Sequence, residues 1–144
     1  MTLYRFIQPS DDITFYAEDD DVAFAATMIV GNAHCFANRV GEDGKENAVE
    51  GTSLYIGKVP DEIIERLKRL LDTRKAEIFA AFQTFAVCSP ECRKAYDVYT
   101  ENSMNEERWR EWDDRKRTST TDWCGYARSL KPRDKQEGGR ECES

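Results

Sequence analysis

The chain has 144 residues, 40% hydrophobic and 34% charged, with a formal net charge of −7. This is the length of one compact domain, large enough to hold a core without metal or disulfide staples. No apolar run approaches the roughly 18 residues of a membrane span, and the Met1–Phe6 start lacks signal-peptide architecture; a soluble cytoplasmic protein with reduced cysteines is therefore expected.

Residues 3–8 alternate apolar and polar side chains and read as a strand. Pro9-Ser10-Asp11-Asp12 is a turn cluster, and the β-branched and aromatic run Ile13–Ala17 is the returning strand. Asp19 or Asp20 can cap a helix, with further acids favoured at its positive end. That helix places Val22, Ala25, Ala26, Ile29 and Val30 on one stripe and stops at Gly31-Asn32. Residues 33–40 form a third strand and Gly41–Lys45 a turn rich in Gly and Asp. Thr52–Ile56 is the predicted return strand of a second hairpin.

The period becomes helical from Pro60 onward. Ile63, Ile64, Leu67, Leu70 and Leu71 make an apolar face opposite Arg66, Lys68 and Arg69. Asp72 or Thr73 restarts a helix with Ile78, Phe79, Phe82, Phe85 and Ala86 as buried candidates. Ser89-Pro90 is an N-cap followed by Pro at the first helical position, opening a helix that carries Ala95, Tyr96 and Tyr99. Ser103 and Glu106 match a capping box for a further helix. Residues 118–120 open the last one, with Trp123, Tyr126, Ala127 and Leu130 at helical spacing. The fold class is α+β: a small N-terminal antiparallel sheet with one packed helix, then a bundle of four to five helices. Residues 1–132 form a single domain, and 133–144 a polar, disordered tail.

No motif specifies a reaction, metal or cofactor, so no catalytic residue is assigned and a non-enzymatic protein is expected. His34, Cys88, Cys92 and Cys124 lack the two tight ligand pairs of a structural zinc site and read as small buried residues. Cys35 beside His34 is badly placed for proton transfer, because neighbours on a strand point to opposite faces. The acidic run Glu18–Asp21 lacks the spacing and glycine of a calcium loop, and helix capping explains it.

Charge is unevenly spread. Residues 1–65 carry thirteen carboxylates against four cations, and residues 66–144 carry fifteen against seventeen. The acidic half repels phosphate, which disfavours direct nucleic-acid binding; it can face a basic partner instead. Asp19, Asp20, Asp21, Glu42, Asp43 and Glu46 are the candidate contact residues, and reversing them is expected to abolish binding while leaving the fold intact. Trp109 and Trp112, three apart in a dense run of charges, either pack on preceding helices or form an aromatic surface for a partner. Buried between subunits, they would make a homo-oligomer. Arg115, Arg117, Ser119 and Trp112 could instead hold a nucleotide through charge, hydroxyl and stacking.

Two stretches together carry a resemblance. The first is Tyr4-Arg5-Phe6, Pro9-Ser10-Asp11 and Ile13-Thr14-Phe15, leading into Asp20–Thr27 and Gly31. The second runs from Tyr96-Asp97 through Trp112-Asp113-Asp114 to Arg117-Thr118-Ser119 and Trp123. They resemble a family of small accessory proteins carried by bacteriophages and prophages, over nearly the whole chain up to Pro132. The resemblance implies a setting in the infected bacterial host, among inhibitors of bacterial defence such as anti-CRISPR proteins. It implies a host defence protein or effector complex as partner and supplies no catalytic residues. The alternative function is a sponge for a nucleotide signal, or a homo-oligomeric phage assembly factor. Residues 41–59 depart most from the family pattern and are the expected place for target specificity.

Overall fold

The computed structural model describes residues 1–8, 11–31, 35–52, 59–105 and 127. The chain runs β1 (Thr2–Gln8), β2 (Asp11–Ala17), α1 (Asp20–Gly31), β3 (Phe36–Val40), β4 (Glu46–Ala48), α2 (Asp61–Thr73), α3 (Lys75–Phe82) and α4 (Pro90–Ser103). The four strands form one antiparallel sheet in the order β2-β1-β3-β4. The β1–β2 ladder continues to Gln8↔Asp11, so Asp11 and Asp12, expected in the turn, belong to β2. Because β1 pairs with both β2 and β3, α1 carries the chain past β1 and β3 returns on its far side.

Register sorts the strand side chains into two faces. Tyr4, Phe6, Phe15, Ala17 and Ala37 are buried on the inner face. Against it lies α1, whose residues Val22–Val30 are all buried. The expected stripe is therefore too narrow: α1 is enclosed all round because α2, α3 and α4 contact it as well as the sheet. Aromatic rings join the layers. Phe85 stacks on Phe15 with centroids 4.3 Å apart and meets Phe6 and Tyr96 at 5.4 and 5.7 Å.

The mixed α+β class holds, with one antiparallel sheet and four helices among the described residues. The helices after the sheet share a core with α1 and the strands rather than forming a separate bundle. Three of them are described. Ser103, expected to cap a further helix, is instead the last residue of α4; apart from Ala127, the helices predicted from 103 and 118 lie outside the described residues, as does the whole of the proposed tail. The second hairpin turns at Gly41–Lys45 as expected, and the strand that pairs with β3 after it is Glu46–Ala48; residues 53–56 of the predicted return strand lie outside the described residues. Arg74, with φ −132° and ψ 34°, breaks the helical run, so α3 starts at Lys75.

Candidate interaction surface

Three aspartates at the start of α1 each meet an arginine from a different part of the chain: β3, α2 and the joint between α2 and α3. Asp19 caps the helix, its Oδ1 accepting from the Val22 N–H at 3.1 Å, and pairs with Arg74 at 2.9 Å. Asp20 accepts from the Tyr4 hydroxyl at 2.6 Å and from Arg39 at 2.5 Å. Asp21 accepts from Arg66 at 2.8 Å. Arg74 also forks onto Glu77. These contacts tie β1, β3, α2 and α3 to one helix end, where the macrodipole already favours negative charge.

The Asp20 environment shifts its acidity. Partial burial pushes the carboxyl up, but the hydrogen bonds from Tyr4 and Arg39 outweigh it and leave Asp20 below its ordinary value. The Tyr4 phenol moves upward, through burial and then through its bond to Asp20. Arg66 has a second task. Its guanidinium lies 3.9 Å from the centroid of the Phe24 ring and donates to the Glu50 carbonyl at 3.0 Å. Gly51 sits against both groups with φ +97°, and a Cβ there would lie 2.8 Å from the Phe24 ring. Only glycine accommodates that approach.

The outer face of the sheet is a different surface. Leu3, Arg5, Ile7, Asp12, Thr14, Tyr16, Phe36, Asn38 and Glu46 share it by register. A polar belt crosses all four strands. Arg5 forks onto both oxygens of Asp12 at 3.0 and 3.1 Å and reaches Glu46, which accepts from Asn38 at 3.0 Å. The Asn38 and Arg5 hydrogen bonds hold the Glu46 carboxyl below its ordinary value. Apolar side chains flank the belt, and Tyr16 is 45% exposed. The Tyr16 backbone is already engaged: its N–H donates to Thr84 Oγ1 at 2.7 Å and its carbonyl accepts from the same hydroxyl. That contact blocks the β2 edge against strand addition and presents the ring to solvent. Glu42 and Asp43 are exposed in the adjoining turn, where Asp43 Oδ1 accepts from the Lys45 N–H at 3.0 Å.

The six predicted acidic contacts therefore fall into two places. Asp19, Asp20 and Asp21 bind arginines of the chain itself, while Glu42, Asp43 and Glu46 stand at the β3–β4 end of the sheet. The sequence reading passed over Tyr16, Arg5 and Phe36. Apolar residues on both phases of β1 (Leu3 and Ile7 as well as Tyr4 and Phe6) were the available signal for a partly apolar outer face. Trp109, Trp112, Arg115, Arg117 and Ser119 lie outside the described residues, as do His34 and Cys124.

No family model, curated protein or solved structure matches the chain. Two cysteines behave differently from expectation. Cys88 and Cys92, expected to be reduced and buried, form a disulfide with their Cα atoms 6.0 Å apart, and Cys88 is exposed. Cys35 is a buried thiol pushed up to about 12 by desolvation, a poor nucleophile at neutral pH. Among the described residues, no group of three or more His, Cys, Asp or Glu side chains could hold a metal ion, and no helix is long and apolar enough to cross a membrane.

Proposed function

We propose that the protein is a phage-encoded binding protein that inhibits a bacterial defence complex by occupying one of its basic surfaces in a one-to-one contact. The outer sheet face and the adjoining turn are the docking surface. The observation that carries this reading is their composition. Tyr16 and the apolar side chains offer area for burial, and Asp12, Glu42, Asp43 and Glu46 outnumber Arg5 and Lys45 around them. Tyrosine is enriched among binding hot spots, and the excess of carboxylates favours a basic partner. The resemblance to phage accessory proteins supplies the setting. Asp19, Asp20 and Asp21 have a mainly structural task in this reading, so reversing them would disturb the fold as well as any contact.

The test is phage plating on bacteria that carry an active nucleic-acid-targeting defence complex and express this protein. Wild-type protein is expected to restore plaques. A variant with Tyr16→Glu, Glu42→Lys and Asp43→Lys, shown by circular dichroism to be folded, is expected to lose that protection. Equal protection by the folded variant would remove the sheet face as the docking surface.

A further inference from the structure

The disulfide between Cys88 and Cys92 joins two unlike sulfurs. Cys88 stands exposed in the segment before α4, whereas Cys92, the third residue of that helix, is fully buried. A small thiol in solution therefore reaches the bond from the Cys88 side. The sulfur it displaces lies in the first turn of α4, where the positive end of the helix dipole favours a thiolate. The surroundings are secured without the bond. Ser89 Oγ accepts from the Cys92 N–H at 3.2 Å, and Arg93 donates to the Phe82 carbonyl at 2.9 Å and to the Phe85 carbonyl. The Phe85 and Tyr96 rings meet within the core. The cysteines are four positions apart, so their bond closes a small loop and restricts the unfolded chain less than a long-range bridge does.

We propose that this disulfide is a thiol–disulfide exchange site, at which a small thiol such as glutathione becomes attached to Cys88. The incoming thiolate attacks Cys88 Sγ. A new S–S bond to Cys88 forms as the bond between Cys88 and Cys92 breaks, and the electron pair leaves on Cys92 Sγ, which takes up the proton that the incoming thiol gave up. One disulfide replaces another, so neither an oxidant nor a reductant is consumed. In the reverse step the Cys92 thiolate attacks Cys88 Sγ and expels the small thiol. Cys88 is thus the modified residue and Cys92 the resolving one. Cys35, buried and with its thiol pushed up to about 12, takes no part. The inference is independent of the proposed function.

The test uses the full-length protein in a neutral buffer of mixed glutathione and glutathione disulfide. Samples taken over time are quenched with acid, unfolded, alkylated with iodoacetamide and read by peptide mass mapping. The expected species carries glutathione on Cys88 and the alkyl group on Cys92, and it forms without loss of the far-UV circular dichroism signal. In Cys92→Ser the Cys88 thiol stays exposed, and in Cys88→Ser the remaining thiol is buried. Glutathione disulfide should therefore modify Cys88 in the first variant at least about tenfold faster than Cys92 in the second. Absence of the Cys88 adduct at every time point, glutathione on Cys92 instead, or equal rates in the two variants would each overturn the inference. Loss of helical signal during exchange would overturn it as well, because the bond would then open only through unfolding.

Discussion

Asp20 and Tyr4 make stability depend on pH from both sides. Asp20 lies below its ordinary value in the folded protein, so the unfolded chain binds the extra proton first as pH falls. Its contribution is complete above the unfolded value of about 4 and is lost as pH drops through the lower folded value. Tyr4 is raised, so its contribution is complete below the unfolded value of about 10 and declines as pH climbs past it. Urea unfolding across a pH series should show both declines. Asp20→Asn should flatten the acid one; an unchanged acid slope in that variant would assign it to other carboxylates. Asp20→Ala, which leaves the Tyr4 hydroxyl without its acceptor, should cost about 1–3 kcal/mol. Gly51→Ala meets both a positive φ and the Phe24 ring and should cost about 1–3 kcal/mol, again read by urea unfolding. Neither partner of Asp20 was visible in the sequence. The Asp19–Asp21 run signalled a helix start, but which arginines reach it depends on how β3, α2 and α3 pack, and no local pattern encodes that.

Where side-chain period or cap chemistry was strong, elements were legible from sequence. Ser89 is the N-cap of α4 and accepts from the Cys92 N–H at 3.2 Å, as the Ser-Pro pair predicted; Ser89→Ala should lower the thermal midpoint, at a cost of about 1 kcal/mol. The first hairpin and α2 followed their patterns in the same way. Legibility failed where tertiary contact decides. Phe85 reads as a helix residue, yet α3 ends at Phe82 and Phe85 lies in the turn beyond it, its carbonyl and that of Phe82 both accepting from Arg93. Its ring stands between the sheet and Tyr96. Phe85→Ala should therefore cost about 3–5 kcal/mol in denaturant unfolding, whereas Ala86, expected to be buried beside it, is exposed. The strand β4 was missed for a similar reason. Glu46-Asn47-Ala48 has little strand propensity and is recruited by pairing with β3.

The fold concentrates its charge in two networks with different roles. At the start of α1, arginines neutralise the aspartates and fasten helices to the sheet. On the outer sheet face, Arg5 is held by Asp12 and Glu46 beside an exposed tyrosine, and the Glu42–Asp43 turn extends the acidic edge. The sequence located the acidic half and the turn, but it could not separate carboxylates consumed inside the molecule from those left for a partner; that division exists only once the chain is folded. Affinity capture with the full-length protein tests the consequence most directly. Wild-type protein and the Tyr16→Glu, Glu42→Lys, Asp43→Lys variant should be compared on a bacterial lysate containing an active defence complex. The predicted result is that wild type retains a defence nuclease or effector subunit in moderate salt and the folded variant does not; equal retention by both would contradict the sheet face as the docking surface.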